Sequence, residues 1–176
     1  MLIKNKIIIR ILEARDLENL RKLRNNFLNT SQYLTYPLPI NEKNQLNWFE
    51  SISISPDKMY FAIENEKNQF LGIIRNDEWD KINQSIRTGI DLVPEFRGKG
   101  LAYKTYLIFI EYLFNNVNIN RIWLEVIDFN KHAISLYKKI GFIEEGRKRQ
   151  AVYRNGKFCD YIVMSYLKKD YEKSKK

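Results

Sequence analysis

Gly98-Lys99-Gly100, preceded by Arg97 and followed by Leu101-Ala102, is the first segment whose residue types suggest chemistry. Glycines let a backbone approach an oxyanion closely, and the first amides of a helix point outward without intrahelical partners. A strand, a glycine turn and a helix start therefore form a phosphate cradle, and Arg97 and Lys99 add positive charge to it. It is neither of the two common nucleotide loops. No G-x-x-x-x-G-K-[ST] run occurs, and the dinucleotide pattern G-x-G-x-x-G needs glycine where Tyr103 stands. A plain helix start would satisfy the same residues, so the turn alone leaves the choice open. The other reactive side chains stand alone. His132, the one histidine, cannot build a His-rich metal site and falls in the first turn of a helix beside Lys131, where exposure is expected. Cys159, the one cysteine, excludes an intramolecular disulfide and a Cys-based zinc cluster, and it has no histidine partner nearby in sequence. No metal is expected.

The turn must be held by regular elements. Residues 7–12 are β-branched and read as a strand. Asp16 is a plausible N-cap for a helix carrying Leu17, Leu20, Leu23 and Phe27. Tyr36-Pro37-Leu38-Pro39 forces extended backbone. Asn41 caps a second helix bearing Leu46, Phe49 and Ile52. Residues 59–64 and 70–75 form a hairpin, and 86–93 a further strand stopped by Pro94. After the glycine turn come a helix over 101–114, a strand over 121–127 and a helix over 131–140 stopped by Gly141. Two closing strands, 142–151 and 158–167, flank Asn155-Gly156, a favoured hairpin turn. Antiparallel hairpins mixed with βαβ units make this an α/β (α+β) chain.

Composition bounds the rest. With 176 residues, one domain is the default, large enough to fold without a disulfide or metal. No apolar run reaches the length of a membrane helix, and the N-terminal run is broken by Lys4, Lys6 and Arg10, unlike a signal peptide. A reducing, cytoplasmic setting and no membrane partner follow as expectations. Thirty Lys+Arg against 21 Asp+Glu give a net charge of +9. These cations are spread along the chain, densest at Arg147-Lys148-Arg149 and in a basic tail from about residue 168. A nucleic-acid reader concentrates its charge on one face, so the expectation is against such a partner. A homo-oligomer stays open.

The stretch from Leu92 to Ala102 resembles the acetyl-CoA signature [QR]-x-x-G-x-[GA] of the GNAT N-acetyltransferases, with Arg97, Gly100 and Ala102 matching. Downstream, Leu124-Glu125-Val126, then Asn130, Ala133, Leu136-Tyr137 and Gly141-Phe142, resemble that family's second motif in order and spacing. The resemblance implies one N-acetyltransferase domain over residues 1–176. Its mixed sheet would have about seven strands, with a splayed strand pair that receives acetyl-CoA, and about four helices. It implies that Leu92 and Val93 pair with the pantetheine arm, that the amides from Arg97 through Gly98, Lys99, Gly100 and Leu101 to Ala102 hold the pyrophosphate, and that Asn130 bonds the arm or caps its helix. In the family an amine attacks the thioester directly. The carbonyl oxygen then needs a backbone donor, expected at Val93 or a neighbour. The leaving thiolate needs a proton, and Tyr137, two helical turns after Asn130, resembles the family's general acid. Glu125 resembles the base of relatives that acetylate protein N-termini, with a purely orienting role as the alternative.

The acceptor is read from the same resemblance, whose nearest branch includes ribosomal-protein N-terminal and spermidine acetyltransferases. The reading is a primary amine on a small molecule or a peptide N-terminus. A nucleotide-linked amino sugar is the next alternative, because Arg24, Tyr33, Tyr36 and Trp48 make a basic, aromatic groove. A polyamine follows, disfavoured by the missing acidic cluster after the first helix, where only Glu42 stands nearby. A non-catalytic CoA-binding or nucleic-acid-binding module is the reading from a different class.

Overall fold

A computed structural model describes residues 1–28, 33–34 and 37–175. Strands β1 (Leu2–Lys4), β2 (Ile7–Ile11), β3 (Met59–Asn65), β4 (Phe70–Asp80), β5 (Ser85–Leu92), β6 (Arg121–Ile127), β7 (Ile143–Arg154) and β8 (Lys157–Leu167) form one sheet. Their spatial order is β1-β2-β3-β4-β5-β6-β8-β7. Every neighbouring pair is antiparallel except β5–β6. Helices α1 (Leu17–Asn25) and α2 (Glu42–Ser53) cover one face, and α3 (Leu101–Asn116) and α4 (Lys131–Ile140) the other.

The two faces follow from strand periodicity. Ala62 and Ile73 pack with Leu20, Leu23 and Ile52 beneath α1 and α2. Their strand neighbours Ile63 and Ile74 join Ile86, Phe109, Leu113 and Phe114 beneath α3. Helix α3 is apolar on nearly every side, and Tyr106, Phe109 and Leu113 are fully buried. Each such side chain contributes about 1.5–3 kcal/mol on leaving water.

Four sequence expectations change. Strand β1 was hidden because it is short and turns into β2 through Asn5-Lys6, both left-handed without a glycine (φ 53° and 65°). The segment read as a basic tail is a helix, α5 (Lys168–Ser174). Tyr171 packs it tilted against Phe114 and edge-on to Tyr166, and Lys175 pairs with Glu111 at 3.2 Å. The described residues therefore form an eight-stranded sheet rather than one of seven, with five α-helices rather than four. The α2 face also differs, since Gln45 and Ile52 are buried while Leu46 is exposed. Asn41 does cap α2, accepting from the Asn44 amide at 2.8 Å. Asp16 instead serves a buried ion triad. Its carboxylate takes two bonds from Arg10 at 2.8 Å, and Arg10 also pairs with Glu64 at 2.7 Å.

Candidate active site

Strands β5 and β6 pair only from Ser85–Arg87 to Arg121–Trp123 and then part. The Val93 amide donates to the Leu71 carbonyl at 2.9 Å, toward β4, while the Gln84 carbonyl accepts from Asn120 and Arg121 at the β6 side. Antiparallel backbones alternate the direction of their polar groups. Thr88, Ile90 and Leu92 therefore turn their backbone groups into the gap, and Val93 does not. Of the donors expected, Val93 or a neighbour, Val93 is excluded on this ground, since its amide is taken by Leu71 and its carbonyl by the Phe96 amide at 3.0 Å.

Beyond Leu92 the chain makes a 3-10 turn, Pro94–Phe96, and reaches the glycine turn. Gly98 and Gly100 both sit at φ 73°, a conformation costly for a side chain, and a Cβ at either would point into open space. The first α-helical bond of α3 runs from the Lys104 amide to the Gly100 carbonyl at 3.1 Å, which leaves the amides of Leu101 to Tyr103 without helical partners. This is space and donor geometry suited to the phosphates of CoA. The Arg97 amide bonds the Pro94 carbonyl at 3.1 Å, so the cradle starts one residue later than the sequence implied. The Arg97 side chain donates to the Leu92 carbonyl at 2.8 Å and fixes the turn to the strand end. Lys99 folds outward, donating to the Glu95 carbonyl at 2.8 Å over the Phe96 ring.

A cavity of about 710 Å³ joins these parts, running from Gly98 and Gly100 past Leu92 into the gap between β5 and β6, with Asn130 and Tyr137 on its α4 side. Asn130 caps α4, its side-chain oxygen accepting from the Ala133 amide at 3.2 Å. Tyr137 is buried with its ring edge-on to Tyr106, centroids 5.7 Å apart. Burial pushes its phenol up to about 12. The residue is thus neutral and proton-bearing at ordinary pH. Glu125 reaches the cavity from β6, and its carboxylate is held by Lys148, which extends from β7. His132 lies exposed at the rim.

Of the residues expected to meet an acceptor, Arg24 and Trp48 come together, the guanidinium 5.2 Å from the indole centroid. Tyr33 stands apart on the rim of the large cavity, 6.0 Å from the Phe129 ring, and Tyr36 lies outside the described residues. Arg24 and Trp48 line a second cavity of about 180 Å³ that shares Leu34, Arg75 and Asp91 with the first. Sequence reading passed over Arg75, Asp77, Arg87 and Asp91. They occupy alternate positions on β4 and β5 and so share the α1/α2 face, a period-two charge pattern that was there to be read. Arg75 donates to Asp91 at 2.8 Å, and Arg87 donates to Asp77 at 2.5 Å. The Arg75 guanidinium lies flat over Gly89, where a Cβ would come within 2.7 Å of it. Burial opposes the Arg75 charge, but Asp91, Tyr60 and Asp77 outweigh it and raise its pKa.

A parted strand pair beside an anion-binding helix start defines a site for a CoA thioester. The chain belongs to the GNAT acetyltransferase family, whose Acetyltransferase (GNAT) domain matches residues 6–143. It is an N-acetyltransferase that uses acetyl-CoA. Spermidine N(1)-acetyltransferase of Vibrio cholerae serotype O1 is 27% identical over 167 residues, 95% of this chain and 96% of that protein. Its crystal structure with CoA and spermine superposes with a TM-score of 0.89 at 26% identity, covering 96% of this chain and 99% of that one. The putative ribosomal N-acetyltransferase YdaF of Bacillus subtilis is 28% identical over 98% of this chain and 97% of its own length. Among the described residues no helix is long and apolar enough to cross a membrane, and no group of His, Cys, Asp and Glu is placed to hold a metal.

Proposed function

We propose that the large cavity transfers acetyl from acetyl-CoA directly to a primary amine, carried by a small molecule or a peptide N-terminus. The observation that carries this reading is the continuity of the 710 Å³ cavity from the glycine turn to the Tyr137 side chain. The amides of Gly98 to Ala102 hold the pyrophosphate. The pantetheine arm runs into the gap, meets the backbone of Leu92 first and is flanked by Asn130. One rung deeper, the Ile90 amide donates to the thioester oxygen as negative charge develops on it. The amine nitrogen bonds the carbonyl carbon, the C–S bond breaks, and sulfur leaves with the electron pair. Tyr137 donates to that sulfur. The attacking amine must first lose a proton, because a free alkylamine has a pKa of about 10.4. Glu125 receives that proton directly or through water, and the second N–H proton, shed as the amide forms, passes through solvent to the departing thiolate. A reducing compartment such as the cytoplasm suits the one buried, unpaired Cys159.

A polyamine acceptor is the second reading, favoured by the name of the Vibrio cholerae relative across nearly the whole chain. Incubating the protein with acetyl-CoA and a panel of amines, with free thiol as the readout, tests both. Thiol release with no member of a broad panel would refute the transferase reading, and strong preference for spermidine would favour the second.

A further inference from the structure

Among the described residues, the hydroxyl of Tyr161 is buried and makes no hydrogen bond. The side chain comes from β8 and is only 7% exposed, yet it lines the large cavity. A buried hydroxyl normally has a partner, because leaving one without is costly to the folded state. Gln45, Asn76, Thr105, Tyr106 and Tyr171 carry buried atoms in the same condition, but none of them lines that cavity. Strand register sets the place of Tyr161. It pairs with Ile127 on β6 and with Lys148 on β7. Glu125 lies two residues before Ile127, so it shares a face with Tyr161 and is its diagonal neighbour across the two strands. Leu124 and Val126 turn the other way, into the core beneath α3 and α4. Glu125 and Tyr161 therefore stand together on the face opposite those helices, and both line the cavity. Diagonal neighbours lie about 7–8 Å apart, so a single atom between two long side chains can touch both. Ile127, Val152 and Cys159 pack with the Tyr161 ring, and none of the three side chains carries an oxygen or nitrogen.

We propose that Tyr161 is a specificity-determining residue of the transfer, holding the acceptor nitrogen beside Glu125 and selecting primary amines over secondary ones. The inference rests on the transferase reading above and adds to it the residue that sets the amine class. A neutral primary amine carries two N–H groups. One is shed as the amide forms, and the other stays in the product. The Tyr161 oxygen accepts a hydrogen bond from the N–H that stays, which leaves the nitrogen lone pair free for the thioester carbon. That bond strengthens during attack, as the nitrogen gains positive charge. A secondary amine has only the N–H that is shed, and it presents carbon to the hydroxyl instead. The fold does not use this hydroxyl, so its removal costs the transfer and spares the structure.

The test compares Tyr161→Phe with the parent. Each primary amine that the broad panel shows to be turned over, starting with butylamine, benzylamine and alaninamide, is paired with its N-methyl counterpart, and free thiol release is measured at saturating acetyl-CoA. In the parent, kcat/KM should be about tenfold or more higher for a primary amine than for its N-methyl counterpart, the effect of one hydrogen bond to a charged group. Tyr161→Phe should lose about tenfold on the primary amine and stay within about twofold on the N-methyl one, so that the preference collapses. KM for acetyl-CoA should stay within about twofold, because the cofactor does not use the hydroxyl. Urea titration should place the midpoint of the variant at or above that of the parent, because no internal hydrogen bond is lost. A lower midpoint would show that the hydroxyl serves the fold, and overturns the inference. Equal losses on both amines of a pair, or no loss on either, also overturn it and leave the transferase reading standing. A parent that releases no thiol with any amine removes the transferase reading, and this inference with it.

Discussion

Replacing Tyr137 by Phe removes one oxygen and keeps the ring that packs against Tyr106 and Phe142. The magnitude follows from the proton affinities. The buried phenol lies at about 12, whereas an alkyl thiol such as that of cysteine lies near 8.5. Complete proton transfer to the departing sulfur is therefore uphill by about 3.5 pKa units, or about 5 kcal/mol at 1.36 kcal/mol per unit. On the proposed reading, Tyr137 acts on the developing thiolate as a hydrogen-bond donor, with full transfer left to a later, solvent-linked step. A hydrogen bond to a charged group is worth about 1.5–3 kcal/mol, which is a ten- to hundredfold effect on rate. Steady-state thiol release should show kcat for Tyr137→Phe reduced by that factor, with KM for acetyl-CoA within about twofold. A kcat within twofold of the parent, or a loss carried by KM instead, would refute the assignment. The same variant has an independent signature in stability. The folded phenol titrates above the ordinary tyrosine value of 10, so the folded state holds its proton more tightly. That stabilisation is complete below pH 10 and is lost as pH rises through about 12. Two units correspond to about 3 kcal/mol. Urea titrations at pH 8 and near pH 12 should show a loss smaller by about that amount in the variant than in the parent, since Tyr60 and Tyr106 are also raised by burial and titrate in both.

Gly100→Val should weaken CoA binding by about tenfold or more in calorimetry, because a branched side chain is strained at φ 73° and fills the cradle. Unchanged affinity would place the phosphates elsewhere. Glu125→Gln should slow turnover chiefly at low pH, where the amine is protonated, and an unaltered pH–rate profile would assign the proton to water. Arg10→Met should destabilise the fold by about 3–5 kcal/mol at pH 7, since it strands Asp16 and Glu64 as buried charges. Burial opposes the Asp16 charge, but hydrogen bonds from Arg10 and Glu13 hold its pKa below the usual value. The triad's contribution is therefore present above pH 4 and fades as pH falls below it. A destabilisation equal at pH 3 and pH 7 would show that packing alone is at stake.

Most elements near the cradle were legible because their signals are local. Asn130 and Gly141 bracket α4, Pro94 stops β5, and Asn155-Gly156 turns β7 into β8 with both residues left-handed. What escaped was carried by partners distant in sequence. Strand β1 is defined by β2, and α5 by Phe114 and Glu111. The oxyanion donor could not be chosen from residue types, because any residue but proline offers an amide. The choice depends on register, and only the bond from Val93 to Leu71 reveals which neighbours face the gap. The expected acceptor groove is divided for the same reason. Arg24 and Trp48 meet through the packing of α1 on α2, while Tyr33 is carried to the other cavity. The ladder from Arg75 to Asp91 spans a hairpin, so its members touch only after the strands pair.

The parting of β5 from β6 places two unfinished strand edges in the interior of a sheet. Three residue pairs make up the whole strand register between β5 and β6. On the proposed reading, the pantetheine arm supplies the missing rungs, so the ligand behaves as a temporary ninth strand. Amide hydrogens of Ile90 and Leu92 would then exchange slowly only while CoA is bound. A ligand present at a hundred times its dissociation constant adds about 2.7 kcal/mol to folding stability. The abundance of this protein would in that case follow the supply of its own co-substrate, with starved molecules presenting an open seam to unfolding and proteolysis.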